Sequence, residues 1–382
     1  MKLSMVMIAR NERSHVRPCF DSFWDQVDEV VLCDTGSRDG TIGQARTYAR
    51  EHGEARKLLV GRFRWRDDFA AARTYAHSLA TGDVHVTMDL DDRLMADGND
   101  LRDAAARLIA SPKAGAVIAL WSGPRTPGQW RPRLLRAPVI WDGPTWEQPA
   151  FDAALITRRL RWHHTRECSR GTRDLDIALG WARREPANDR PMLAAASEAR
   201  GLEDWPMVKQ CCERALALSG LGSGPRTHLS LLLGEAELYS SHNYTAAERL
   251  AEQVIEIAGD TLTRRQFDAS RGPGIKSLDV NGTVHGAWSL LAVIAFRRRE
   301  WERALLCVTW ACEYALSPDR LVEPRAIGFA AIGELLKQTR DPERVERLVD
   351  EVLLEVAKPR RRRRRSTAER PLAGAAEGPS SA

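Results

Sequence analysis

No two of the seven cysteines are spaced as C-x-x-C, so the chain lacks the commonest thiolate metal and redox motif. Cys19, Cys33, Cys168, Cys211, Cys212, Cys307 and Cys312 fall mostly within apolar helix or strand patterns, which predicts reduced, buried thiols in a cytoplasmic protein. No stretch approaches the ~20 apolar residues of a membrane span. The apolar run that starts at Leu3 is broken at Arg10-Asn11-Glu12-Arg13, far short of a signal-peptide core with its cleavage site. A glycine-rich loop is also missing after that run. Ala9-Arg10-Asn11-Glu12 stands where a nucleotidyltransferase would place one, which argues against nucleotidyl transfer. Net charge is nearly absent from the body as well. The chain sums to +5, but residues 358–382 hold eight basic and two acidic side chains, which is +6, leaving −1 on the other 357. The basic character belongs to the tail.

A chain of 382 residues has room for two or three domains. Up to about residue 150, short β-rich runs alternate with amphipathic helices, the pattern of a sheet with covering helices. Strands are predicted over 3–9, 29–34, 57–63, 84–89, 116–121 and 133–136. Helices are predicted over 41–52 and 69–80, after a first helix that carries Val16 and Phe20. From Asp174 the strand signal stops. Three stretches then share one helical pattern: Trp205 with Val208, Cys212 and Ala215; Tyr244 with Ala247, Ala251 and Val254; Trp301 with Ala304, Val308 and Ala311. Small residues at matched offsets after an aromatic are a helix–helix packing signature and resemble tetratricopeptide repeats. The spacing between the stretches is irregular, and 271–286 reads as an insertion. A last helix is predicted over 341–356. Residues 358–382, with six arginines from Arg360 to Arg365, have too little apolar surface to order themselves. The expected divisions are 1–172, 173–357 and 358–382.

Four short motifs lie between Asp34 and Asp92: Asp34-Thr35-Gly36-Ser37-Arg38-Asp39-Gly40-Thr41, Asp67-Asp68-Phe69-Ala70-Ala71-Ala72-Arg73, Ala80-Thr81-Gly82-Asp83, and Met88-Asp89-Leu90-Asp91-Asp92. Each falls where a strand meets a helix or loop, and ligands of open α/β sheets bind beyond the carboxyl ends of strands. Gly36 and Gly40 permit positive φ, and Ser37 and Thr41 are suited to cap the next helix. The Asp34 carboxylate can accept hydrogen bonds from a uracil-type N–H or from ribose hydroxyls. Asp89-Leu90-Asp91 closes an apolar strand, where a period of two would point both carboxylates the same way. Paired carboxylates with phosphate oxygens suit Mn²⁺ or Mg²⁺.

Together with Met7-Ile8-Ala9-Arg10-Asn11-Glu12, these motifs resemble the inverting family 2 glycosyltransferases of GT-A fold. They are closest in pattern to the subgroup with tetratricopeptide-type helices that includes the peptide S-glycosyltransferases. The resemblance implies a Rossmann-like α/β GT-A domain with a mostly parallel sheet, an all-α repeat region after it, and a disordered basic tail. It implies transfer of a sugar from a nucleotide-diphosphate donor, a UDP-sugar foremost, assisted by Mn²⁺ or Mg²⁺. Asp91, the last aspartate of the D-x-D, would be the first metal ligand. Asp89 would touch ribose or reach the metal through water, with Asp92 assisting. Asn11, Glu12, Asp34, Asp39 and Arg73 would line the donor site, Arg73 offering a planar cation to diphosphate or base, or else pairing with Asp67 or Asp68. The general base is expected downstream, in the family often in a His-Glu pair after an Arg-Leu-Phe-Arg strand. Here Arg133-Leu134-Leu135-Arg136 is followed by Trp146-Glu147, which makes Glu147 the candidate and Asp142 the alternate. Of His163-His164, His164 is favoured to complete the metal shell. The acceptor is open: peptide or protein, small molecule, surface glycan, or nucleic acid held by Arg360–Arg365. A contrasting reading makes the repeats the functional part, a scaffold beside a non-catalytic nucleotide-sugar domain.

Overall fold

The computed structural model describes residues 1–96, 99–123, 126–165, 171–263, 280–314 and 322–338, and beyond them only positions 345, 347 and 350. Four strands run parallel in the order β3 (Leu58–Arg62), β2 (Glu29–Asp34), β1 (Leu3–Ala9) and β4 (Val84–Thr87). The sheet continues through β7 (Thr126–Arg136), antiparallel to β4, then β6 (Ala116–Gly123), β10 (Ala154–His164) and β5 (Asp92–Met95). A separate ribbon pairs β8 (Trp141–Asp142) with β9 (Gln148–Pro149).

β1 shows why its run is continuously apolar. Leu3, Met5, Met7 and Ala9 pack on one face with α1 (Arg13–Asp21), α2 (Thr41–Glu51) and α4 (Asp100–Ala110). Val6 and Ile8 pack on the other with Val31, Cys33 and Ala76 of α3 (Phe69–Leu79). A central parallel strand is buried on both faces, so alternation disappears.

The sheet departs from the sequence reading in three places. β4 ends at Thr87, and Asp89–Asp91 is a turn closed by the Asp92 N–H on the Asp89 carbonyl at 3.0 Å. Burial of Met88 and Leu90, not strand alternation, therefore aims Asp89 and Asp91 away from the core. Strands β5 and β10 and helix α4 were not anticipated. β10 does not stand out in the sequence because exposed Arg158, Arg159 and Arg161 make its outer face read as a polar loop. Finally, Thr81-Gly82-Asp83 precedes β4 and so lies at the opposite end of the sheet from Asp89. Glu29 accepts from the Thr81 N–H and hydroxyl, the Gly82 N–H donates to Ser4 Oγ at 2.9 Å, and Asp83 accepts from the Lys2 N–H at 2.7 Å. A Cβ on Gly82 would stand 2.5 Å from Ser4 Oγ. This motif fastens β4 to β1 and lies at the other end of β4 from the D-x-D turn.

Among the described residues, every element after residue 172 is a helix: α5 (Arg173–Arg184), α6 (Asp189–Gly201), α7 (Trp205–Leu216), α8 (Ser223–Tyr239), α9 (Tyr244–Thr263), α10 (Val280–Arg297), α11 (Trp301–Tyr314) and α12 (Val322–Gln338). The three aromatics open α7, α9 and α11, and the nine small positions after them are all at most 1% exposed. The turns repeat too. Glu203, His242 and Arg299, each two residues before the aromatic, adopt left-handed φ of 59°, 50° and 62°. Three non-glycine residues in one strained conformation at one register mark a structural repeat that residue identity does not show. Of the predicted insertion, 280–286 belongs to α10 and the rest lies outside the described residues, as do most of the predicted last helix, the tail and Cys168. The other six cysteines are buried and unbridged.

Candidate active site

The carboxyl ends of β1 and β2 and the turn after β4 meet at one edge of the sheet. The 34–41 loop is fixed there by its own side chains. Asp34 accepts the Ser37 N–H at 2.9 Å, and Asn11, at φ 57°, accepts the Arg38 N–H at 2.8 Å. Asp39 accepts N–H groups from Arg13 and Thr41, both at 3.0 Å, and the Thr41 hydroxyl. Slight burial opposes ionisation of Asp39, but these bonds hold it below the usual carboxylate range. Asp39 therefore does the capping expected of Ser37 and Thr41, while the Thr41 hydroxyl accepts the Glu12 N–H at 2.8 Å. Asn11 and Asp39 are committed to shaping the loop. Glu12 lies close enough to act electrostatically on Asp91.

Arg73 is presented by α3, whose N-terminus is capped by Asp68 accepting the Ala71 N–H at 2.8 Å. Its Nε donates to Glu147 Oε1 at 2.6 Å and its Nη2 to Asp89 Oδ1 at 2.9 Å, with the guanidinium 5.2 Å from the centre of the Trp141 ring. Burial disfavours this cation, but Asp89 and Glu147 more than compensate and raise its pKa. The alternative pairing with Asp67 or Asp68 is not formed; Asp67 instead accepts from Trp65 Nε1. The residues named from the D-x-D and from the base position are thus joined through one arginine. The alternate base, Asp142, points elsewhere: its carboxylate is 64% exposed and pairs with Arg190 of α6.

Beside this bridge, Asp91, Asp92 and His164 place ligand atoms within 4.8 Å of one another. β10 delivers His164 because it pairs with β5 in register, His164 opposite Asp92. The Thr165 N–H and hydroxyl both donate to the Asp91 carbonyl at 2.8 Å, which locks the D-x-D turn to the strand end. His164 Nδ1 lies 3.0 Å from Asp92 Oδ1 and 3.6 Å from Asp91 Oδ1. Asp92 is fully buried. Burial pushes its pKa up, but Arg133 at 3.2 Å and hydrogen bonds from His164 and Trp121 bring it down to about 2. Asp91 goes the other way, pushed up to about 6 by burial and by Asp89, against the pull of His164. The carboxylates are hard oxygen donors that suit Mn²⁺ or Mg²⁺, and the imidazole, a borderline nitrogen donor, is better tolerated by Mn²⁺ than by Mg²⁺. Asp92 Oδ2 faces Arg133 Nη2 at 3.2 Å, so that oxygen is already met by a protein cation.

Sequence reasoning missed Trp121 and Arg131. The Arg131 guanidinium sits 4.0 Å from the Trp121 ring centre, and burial followed by repulsion from Arg133 brings its pKa down to about 10. Arg131 and Arg133 alternate on β7, and a period-two arginine pair was the available signal.

This arrangement of carboxylates at the carboxyl ends of a Rossmann-like sheet, with a mixed extension and trailing helices, matches a GT-A fold. A model of Glycosyl transferase family 2 matches residues 4–174 of the 382. A TPR repeat-containing protein of Synechococcus elongatus is 43% identical over 94 residues, 25% of this chain and 21% of that protein, so the match spans about a fifth of its length. Among solved structures, TarS of S. aureus is similar over 80% of this chain and 54% of its own, at 12% identity and a TM-score of 0.37. The mannosyltransferase PcManGT of Pyrobaculum calidifontis, in complex with GDP-Man and Mn²⁺, is similar over 86% of this chain and 87% of its own, at 16% identity and a TM-score of 0.38. Among the described residues, no helix is long and apolar enough to cross a membrane.

Proposed function

We propose that this protein is a metal-dependent, inverting glycosyltransferase that moves a sugar from a nucleotide diphosphate, a UDP-sugar foremost, to an acceptor nucleophile. The observation that carries the reading is the Asp89–Arg73–Glu147 bridge beside the Asp91, Asp92 and His164 cluster. Asp91 and His164 would hold Mn²⁺ or Mg²⁺, with Asp92, neutralised by Arg133, anchoring His164 from beneath. When bound, the ion supplies Lewis-acid stabilisation of the diphosphate charge that builds as the glycosidic bond breaks. Asp34 and Asp89 meet the base and ribose. Glu147, fixed by Arg73 through Oε1, takes the acceptor proton on Oε2 as the nucleophile attacks the anomeric carbon from the face opposite the diphosphate. The geometry also favours catalysis over a scaffold with a spent domain. Holding two carboxylates on one buried arginine costs desolvation, and a pure scaffold has no use for it.

The acceptor class is read more loosely. The trailing helices suit a peptide or protein, as in the peptide S-glycosyltransferase subgroup, and Arg360–Arg365 suit a polyanion. The test is thermal-shift screening of UDP-, GDP- and TDP-sugars with Mn²⁺. A donor at about 100 times its Kd stabilises by roughly 2.7 kcal/mol, and the shift is expected to vanish in EDTA and in Asp91→Asn. No shift with any donor, or an equal shift in EDTA, overturns the reading.

A further inference from the structure

We propose that the α5–α6 hairpin of the helical region is part of the catalytic apparatus, with Arg190 and Glu198 as positioning residues for Glu147. The inference rests on Glu147 being the base.

Glu147 rides on the loop that joins β8 to β9, and the loop's backbone is not at ease by itself. Trp146, immediately before Glu147, is left-handed at φ 51°, an outlier for a bulky side chain. Such a conformation persists where surrounding contacts impose it. Those contacts come from α6. Trp146 Nε1 donates to Glu198 Oε1 at 2.9 Å. At the other end of the loop, Arg190 donates through Nη1 to Asp142 Oδ2 at 2.5 Å and through Nη2 to the Asp142 carbonyl at 3.3 Å. Arg190 and Glu198 are eight residues apart, about two turns along one helix face, so a single face of α6 grips both ends of the loop.

The grip is itself set by packing. The Arg190 guanidinium lies 5.2 Å from the ring centre of Trp181, a buried α5 residue. A Cβ on Gly143 would stand 2.9 Å from Arg190 Nη2 and 3.1 Å from the Trp181 ring, so at φ 91° only glycine lets the loop seat. On its other side the loop meets α3, where the Phe69 N–H donates to the Pro144 carbonyl at 2.8 Å. α3 also presents Arg73. The loop is thus held between the helix that binds Glu147 directly and the hairpin that fixes the backbone carrying it. Asp142, the alternate base, becomes one of the fasteners.

The experiment compares kinetics of the full-length enzyme with those of the double variant Arg190→Gln/Glu198→Ala. A misplaced base costs turnover, so kcat is expected to fall at least about tenfold while donor KM changes less than about twofold. The same pair of changes placed on Glu147→Gln is expected to cost less than about twofold, because the group being positioned is gone. The conservative pair Arg190→Lys/Glu198→Gln keeps a cation and an acceptor oxygen and should restore most of kcat. Gly143→Ala, which leaves both contacting side chains in place, should reproduce the kcat loss even if the double variant folds poorly. Wild-type kcat in the clamp variants, or an undiminished loss on the Glu147→Gln background, overturns the proposal. Full activity of Glu147→Gln itself would overturn the assignment of the base instead.

Discussion

At the scale of single residues, the site separates carboxylates that shape from carboxylates that are free to act. Asp39 and Asp68 accept backbone N–H groups, and Asp92 is neutralised by Arg133 under the imidazole of His164. Asp89 and Glu147 instead face the Arg73 guanidinium, and Asp91 faces His164. Glu147 accepts through Oε1 from Arg73, which orients it without occupying both oxygens. Glu147→Gln keeps the shape and an acceptor oxygen but cannot take a proton. It is expected to bind donor near wild-type affinity and to lose about 10²-fold or more in transfer. Asp142→Asn should stay within a few-fold of wild type, because its carboxylate is paired with Arg190 away from Arg73. Initial-rate kinetics on both variants check this; an inactive Asp142→Asn beside an active Glu147→Gln would exchange their roles.

At the scale of elements, the N-terminal end of the sheet is fastened by Glu29 as firmly as its carboxyl end is shaped for chemistry. Glu29 begins β2 and ties it to Ser4 of β1 and to Thr81 ahead of β4. Burial pushes its pKa up, but hydrogen bonds from Ser4, Thr81 and Lys2 overcome this and bring it down from 4.5 to about 2. A carboxylate depressed in the folded state contributes stability that is fully present above its unfolded pKa. That contribution is lost as pH falls from about 4.5 towards about 2. Urea midpoints of wild type and Glu29→Gln should therefore differ clearly at neutral pH and converge in acid. A gap that stays constant down to the acid end would show that Glu29 acts through packing and not through charge.

At the scale of the whole molecule, a near-neutral body carries a strongly basic tail. Six adjacent arginines can neutralise about five or six phosphates, and each phosphate releases condensed counterion, giving affinity that is steeply salt-dependent and indifferent to sequence. Removing residues 358–382 is expected to leave donor hydrolysis unchanged and to weaken DNA binding at least about tenfold in low salt. Fluorescence anisotropy with full-length and truncated protein decides it. Equal binding by the two, or none by either, removes the case for a polyanion partner.

Most of the architecture was legible because it rests on local rules. Continuous apolar runs marked β1 and β2, and aromatic-plus-small spacing placed the first residues of α7, α9 and α11, since both patterns follow from the repeat of one element. The D-x-D, Arg73, Glu147 and His164 were legible as motifs, but not their connections. A strand dressed in arginines, β10, brings His164 to Asp91 across a separation of 73 positions, and nothing local records that register. The same holds for Arg73 reaching Glu147 and for α6 gripping the loop at Asp142 and Trp146. It holds for Thr81-Gly82-Asp83, which shares the look of a site motif but lies at the other end of the sheet. The sequence by itself determined which groups the protein owns and which elements carry them. Only the tertiary structure decided which carboxylate is spent on a backbone N–H, which on an arginine and which left open, because partners are set by strand order and burial.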